Sequence, residues 1–134
     1  MRETLHLSYT LLLLARAHLR EKSCVAGRDV VREGLSWTRD RDQRYLEAEF
    51  HRVDGELAFE AGDIDFAQSA LQNAIDVATR QRAHWLALRA LHAYVSRFGD
   101  TNRRQQLAAL VAELPSGHQL PPFRAALSLL ETAH

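Results

Sequence analysis

The side chains best placed for chemistry form a charged row between positions 49 and 60. Glu49, Arg52 and Glu56 follow one another at intervals of three and four residues, so on a helix they share one face and can pair. Glu56 and Glu60 lie one turn apart, a spacing at which two carboxyl groups could divide acid and base roles. Such a pair needs a deep pocket that raises one pKa, and the sequence shows no such pocket. The row therefore predicts ion pairs rather than catalysis.

The histidines and the single cysteine do not favour a metal site or a catalytic nucleophile. The seven histidines include no H-x-x-x-H or H-E-x-x-H spacing, and His84 and His92 stand eight residues apart. Cys24 is the only cysteine, which excludes a disulfide within the chain and indicates a reducing compartment. We predict no catalytic residue, no cofactor, no metal and a cytoplasmic location.

Composition narrows the class of partner. The chain has 134 residues and a formal net charge of zero, which gives no general support for binding nucleic acid or an anionic membrane. The apolar run Leu11–Leu14 is too short to span a bilayer, and charged residues follow it. A protein without net charge repels its own copies weakly, so self-association stays open.

Helical periodicity extends through almost the whole chain, and the three prolines come late. We predict an all-α protein with seven helices. Their expected bounds are Glu3–Glu21, Ala26–Arg39, Arg44–Glu60, Ile64–Arg80, His84–Phe98, Thr101–Glu113 and Pro121–Thr132.

Small residues recur where two antiparallel helices would have to cross closely. Gly55 and Ala67 are the expected crossing pair, and Gly62-Asp63 has the composition of a turn in which Asp63 caps the next helix. These offsets resemble the tetratricopeptide (TPR) repeat, a helix pair of 34 residues. The residues predicted to pack the repeats are Ala15, Gly27, Gly55, Ala67, Leu71 and Ala74.

The repeat can be aligned three times, over residues 8–41, 48–81 and 85–114. The first copy has Lys22 where the second has Gly62, so an altered turn is expected. The third has His92 and Arg104 in place of the crossing residues. The predicted fold is a TPR-like superhelix of about three helix pairs, with a C-terminal capping helix over residues 121–132.

Longer stretches carry a more particular resemblance. Residues 47–57, 70–83 and 86–90 resemble the C-terminal TPR region of large bacterial signalling proteins, in which a STAND-type ATPase is joined to a cyclase or DNA-binding output domain. The resemblance extends from about Ala17 to the C-terminus and implies a binding scaffold in signalling or regulation. No G-x-x-x-x-G-K-[ST] motif occurs, so the ATPase belongs to the relatives.

The resemblance implies a concave groove lined by the first helix of each pair. The groove residues it implies are Tyr9, Leu12, Arg16, Glu49, Arg52, Glu56, Phe59, Glu60, Arg89 and Arg97. A leucine-rich first helix is expected to be covered by a second copy or another repeat, through Leu5, Leu7, Leu11 and Leu14.

The leading prediction is a non-enzymatic scaffold that binds a protein or peptide partner in this groove. In one alternative the charged row only fixes helix orientation, with Arg89 crossing to the same carboxylates, and binds no ligand. In another the module assembles as a homodimer. A third alternative is a sensor for a small effector, which requires a closed pocket between Arg52, Glu56, Arg89 and Tyr94. If the groove is functional, we expect Arg52→Ala to weaken binding without unfolding the chain.

Overall fold

The computed structural model describes residues 2–40, 44–114 and 121–132, and within these ranges it contains no strand. The fold is all-α, as predicted. Every predicted helix is present, with its ends within three residues of the predicted ones. The helices are α1 (Arg2–Arg20), α2 (Cys24–Asp40), α3 (Glu47–Glu60), α4 (Ile64–Arg80), α5 (His84–Phe98), α6 (Thr101–Glu113) and α7 (Pro121–Thr132), and a 3-10 turn, Arg44–Leu46, precedes α3.

Contacts between helices follow the order of the chain. Each helix packs against the next one along the chain. In addition, α1 contacts α3, α3 contacts α5, and α5 contacts α7. The odd-numbered helices therefore lie side by side and form one layer. We refer to the surface of α1, α3, α5 and α7 as the odd-helix face. None of the helices in the described ranges is long and apolar enough to cross a membrane.

The helices approach most closely where glycine replaces a side chain. A Cβ atom added to Gly55 would stand 2.7 Å from Cγ of Leu71 and 3.2 Å from the carbonyl oxygen of Ala67, so α3 and α4 cross at this point. The ring of Phe50 occupies the space that a side chain at Gly34 would need. The predicted packing residues Ala15, Gly27, Gly55, Ala67, Leu71 and Ala74 are all buried.

The turns between helices share one backbone pattern. Gly62 takes φ +84° and Gly99 takes φ +64°, the left-handed conformation expected of a glycine at a helix end. Lys22 (φ +58°) and Arg82 (φ +55°) take it too, at a cost of about 1–2 kcal/mol for a residue with a Cβ. The expectation that Lys22 alters its turn is wrong, because the hydrogen bonds at 21–23 repeat those at 61–63.

Asp63 and Asp100 occupy equivalent places before α4 and α6 but behave differently. Asp100 accepts a hydrogen bond from the backbone N–H of Arg103 at 3.1 Å and caps α6. The prediction that Asp63 caps α4 is wrong, since its side chain makes no capping hydrogen bond. Its Oδ2 instead lies 3.5 Å from Nη1 of Arg28 on α2. A nearby guanidinium has taken the carboxylate away from the helix end.

The crossing at Gly55 leads to a first prediction. Gly55→Leu should lower the free energy of unfolding by about 3 kcal/mol or more, because the added side chain overlaps Leu71. The matched control is Ser69→Leu on the exposed surface of α4, which should change stability by no more than about 0.5 kcal/mol. Urea unfolding followed by circular dichroism measures both variants. Equal stability of the two would show that α3 and α4 do not depend on this crossing.

Candidate functional site

The predicted charged row is present on α3 and is closely paired. Nε of Arg52 donates a hydrogen bond to Oε1 of Glu49 at 2.9 Å, and Nη2 donates to Oε2 of the same carboxylate at 3.1 Å. This two-pronged contact matches the planar guanidinium to the planar carboxylate. Nη1 of Arg52 donates to Oε2 of Glu56. Arg52 therefore lies between two carboxylates on the same helix, one about a turn before it and one about a turn after it.

Two arginines of α5 extend the row across the helix boundary. Nη1 of Arg89 lies 3.2 Å from Oε2 of Glu49, and Nη2 of Arg97 lies 2.8 Å from Oε1 of Glu56. Arg89 thus contacts Glu49, as in the alternative in which the charged row only fixes helix orientation. We call Glu49, Arg52, Glu56, Arg89 and Arg97 the charge network. It holds three guanidinium groups and two carboxylates, so one positive charge is left over.

Burial decides how these charges behave. Glu49 is 3% exposed and Arg52 is 8% exposed. Burial by itself raises the pKa of Glu49, but the hydrogen bond and charge of Arg52, with the charges of Arg89 and Arg16, outweigh it and lower the pKa. Burial likewise opposes the charge of Arg52, and both carboxylates overcome this and raise its pKa. Each ion keeps its charge because the others are present.

This dependence corrects the expectation for Arg52→Ala. Removing the guanidinium would leave Glu49 buried with its main partner gone, a change that typically costs about 3–5 kcal/mol. The variant would therefore be destabilised, and its binding could not be interpreted. Arg89 and Arg97 are better probes, because 29% and 22% of their side chains are exposed.

A cleft opens beside the network between α3, α5 and α7. Its volume is about 230 Å³. The described lining residues of α7, Pro122 and Ala125, are uncharged, whereas α3 and α5 contribute the charged groups. Its lining consists of Arg52, Glu56, Arg89, His92, Ala93, Pro122 and Ala125. His92, which stands where the second repeat has Gly55, and the contribution of α7 were both missed by the sequence reasoning.

The helix α7 is held in place partly by Arg104. Its Nη2 donates hydrogen bonds to the carbonyl oxygens of Leu129 at 3.1 Å and Leu130 at 2.6 Å. These carbonyls lie in the last turn of α7. The sequence placed Arg104 at a helix crossing, and its long side chain instead leaves the crossing to cap α7.

The remaining predicted groove residues are spread over the odd-helix face. Tyr9 is 51% exposed, whereas Leu12 is 3% exposed and belongs to the core, so Leu12 cannot line a groove. Phe59 is half-buried, and the guanidinium carbon of Arg97 lies 5.5 Å from the centre of its ring. Glu60 is exposed, with Oε2 3.9 Å from Nζ of Lys22. Arg16 is half-buried on α1.

The predicted self-association residues differ in their exposure to solvent. Leu11 is 7% exposed and Leu7 packs against the same core cluster, so both serve the interior of the protein. The side chain of Leu5 lies outside the described residues. Leu14 is 45% exposed, and the same helix exposes Tyr9 and Leu13, at 51% and 44%. We call Tyr9, Leu13 and Leu14 the α1 apolar surface.

The pocket required by the effector-sensor alternative has a different composition. Arg52, Glu56 and Arg89 do line the cleft, but Tyr94 does not. The hydroxyl of Tyr94 accepts hydrogen bonds from the amide nitrogens of Gln68 at 3.0 Å and Gln72 at 3.3 Å, both on α4. Tyr94 is therefore turned towards α4, and α7 closes the cleft in its place.

A second charged cluster lies between α2 and α3 and was not predicted. Nε of Arg28 and Oδ1 of Asp54 are 3.5 Å apart, and the guanidinium also covers the ring of Phe66 at 4.5 Å. Asp54 is 6% exposed, and burial raises its pKa although Arg28, Arg32 and His51 oppose the shift. The separation is too long for a strong hydrogen bond. Nothing in the spacing along the chain signals this pair.

A cleft of similar size, about 220 Å³, lies between α4, α5 and α6. Its lining is mainly apolar, and Arg82, His84 and Glu113 at its rim are exposed. It therefore offers less fixed polar geometry than the cleft beside the charge network. In the described part of the chain, no group of three or more His, Cys, Asp or Glu side chains is arranged to hold a metal ion.

Glu49 and Asp54 should contribute to the pH dependence of stability with opposite signs. The pKa of Glu49 is lowered by folding, so its contribution is complete above the ordinary value of 4.5 and is lost as the pH falls. The pKa of Asp54 is raised, so its contribution to stability falls as the pH rises from 3.8 through the folded value. Glu49→Gln should therefore flatten the loss of stability towards acid, and Asp54→Asn should steepen it.

Urea unfolding at steps between about pH 3 and pH 6 gives the slope of the unfolding free energy for each variant. The slope, rather than the absolute stability, is the quantity to compare, because both substitutions also break ion pairs. Slopes that change in the same direction in the two variants would contradict the assignment.

No protein-family model matches this chain, and neither a curated protein nor a solved structure shows significant similarity to it.

Proposed function

We propose that this chain is a non-enzymatic binding module that holds a peptide or a helix of a partner protein on the odd-helix face. The observation that carries the proposal is the cleft of about 230 Å³ beside the charge network. Its charged groups are fixed by one another, so a ligand would meet an arrangement already formed in its absence. Preorganisation of this kind lowers the entropic cost of binding.

The order of helix contacts supports a repeat scaffold. Three successive helix pairs, with contacts between α1, α3, α5 and α7, are the arrangement that a TPR-like superhelix would produce. The close crossing at Gly55 and Ala67 fits the same interpretation. We infer that the chain is such a superhelix and, from its resemblance to bacterial signalling proteins, that it works in cytoplasmic regulation.

The carboxylates favour binding over catalysis. Glu56 is paired with both Arg52 and Arg97, and Glu60 is exposed near Lys22. Neither carboxyl group lies in the enclosed apolar pocket that adapts a carboxyl group to general acid catalysis.

Peptide selection with a cleft-filling variant tests the proposal. Twelve-residue peptides selected on the wild-type chain should lose at least tenfold in affinity for Ala125→Phe, because the ring would occupy the cleft. Ala108→Phe, at an exposed position on α6, is the matched control and should bind as the wild type does. Fluorescence polarisation gives the affinities, and circular dichroism checks folding. If no peptides are enriched, or if they bind Ala125→Phe unchanged, the proposal is wrong.

Self-assembly is a second candidate function, favoured by the α1 apolar surface. Tyr9, Leu13 and Leu14 are each about half exposed on one helix, and neighbouring apolar side chains of this size often mark an interface. We expect a homodimer at micromolar concentration that Leu13→Glu weakens at least tenfold. Val25→Glu, at a site 79% exposed on α2, should leave it intact. Light scattering coupled to gel filtration measures the mass, and a monomer at every accessible concentration would exclude this candidate.

A further inference from the structure

We propose that the partner segment is acidic and that one of its Asp or Glu side chains enters the cleft between Arg89, His92 and the first turn of α7. The inference rests on the proposed function and adds to it the chemistry of the partner. In this proposal the surplus positive charge of the odd-helix face binds the acidic segment.

The charge network contains one more positive charge than negative charges. Arg52 directs its nitrogens at Glu49 and Glu56, so its charge is used inside the protein. Glu49 and Glu56 must then also serve Arg89 and Arg97. Two carboxylates cannot neutralise three guanidinium groups. Arg89 lines the cleft with 29% of its side chain exposed, against 9% for Arg52 and 13% for Glu56, so the surplus charge is most accessible at Arg89.

Burial and nearby charges lower the pKa values of Arg89 and His92 in the cleft. Burial lowers the pKa of Arg89, and the charges of Arg52 and Arg16 lower it further, against the opposing effect of Glu49 and Glu56. Burial also lowers the pKa of His92, with Arg97 and Arg52 acting in the same direction and Glu56 against it. At His92 two arginines, on α3 and α5, therefore act against one carboxylate. A bound carboxylate would balance them.

The beginning of α7 forms one wall of the cleft. Pro122 and Ala125 border the cleft, so it lies beside the first turn of a helix of 12 residues. The N-terminal turn of a helix carries a partial positive charge. In α7 this partial charge is reduced, because Pro121 and Pro122 have no backbone N–H, so Arg89 supplies the main positive charge that a carboxylate would meet in this small space.

The spread of the charges favours an acidic segment over a single anion. Arg16 lies on α1, Arg52 on α3, and Arg89 and Arg97 on α5. Packed helices are about 8–10 Å apart, so this set extends over roughly 20 Å. A segment with several carboxylates can match that span. Nucleic acid is a poorer fit, because none of the described residues that line the cleft is a Phe, Tyr or Trp on which a base could stack.

Two peptide libraries separate this inference from the proposed function. Both consist of twelve-residue peptides with blocked termini, and one supplies Asp and Glu where the other supplies Asn and Gln. We expect binders sensitive to Ala125→Phe from the acidic library and at least tenfold weaker ones from the amide library. Amide binders of equal affinity would overturn the acidic partner and leave the proposed function standing. If neither library yields cleft binders, both proposals fail.

Arginine variants identify the contact. Arg89→Gln should weaken the best acidic peptide at least tenfold, whereas Arg103→Gln should not, since Arg103 on α6 lies near Asp76 on α4 instead. Equal affinity for wild type and Arg89→Gln would overturn the assignment. A ten-nucleotide oligothymidylate is the competing probe, and binding as tight as that of the acidic peptide would also overturn it.

His92 reports the same event in the wild-type chain, so the test does not depend on the variants folding. The imidazole Cε1 proton, followed by NMR against pH, gives its pKa with and without the peptide. A carboxylate in the cleft should raise this pKa, because a nearby negative charge favours the protonated imidazole. A peptide that binds without raising it would show that the carboxylate lies elsewhere.

Discussion

Arg52 carries its charge on α3 at a place where only 8% of the residue meets solvent. An ion so placed is tolerated only if its partners are close and well oriented. Glu49 and Glu56 meet this requirement from the same helix, and they in turn bring in Arg89 and Arg97 from α5. The pairs of Glu49 with Arg89 and of Glu56 with Arg97 link α3 to α5, so the charge network spans two helices of the odd-helix face.

The helix α3 is constrained on two sides by different physical means. Gly55 faces α4, where contact is limited by van der Waals radii. Arg52 and Glu56 face α5, where contact is limited by charge pairing. The small size of Gly55 allows α3 and α4 to approach closely, and the ion pairs of Glu49 and Glu56 connect α3 to α5. A helix fixed in both respects can present a reproducible surface to a partner.

Local patterns in the sequence were sufficient for the helices and for the row on α3, because both depend on spacing along one segment. The contact of Arg89 with Glu49 followed from the repeat alignment. The association of Arg28 with Asp54, the place of His92 in a cleft and the turn of Tyr94 towards α4 depend on distances between helices. No spacing along the chain encodes those distances. Leu11 and Leu12 show the same limit, since an apolar face does not reveal which of its sides is covered.

Pro122 and Ala125 of α7 line the cleft, so the proposed recognition would require α7 to be docked. A ligand that touches Pro122 or Ala125 binds the docked arrangement alone, so by mass action it also stabilises that arrangement. Its apparent affinity is the intrinsic affinity multiplied by the docked fraction. Arg104 holds the last turn of α7 without lining the cleft. For the proposed ligand, Arg104 would thus influence the strength of binding from a distance, through the docking of α7 rather than through a contact of its own.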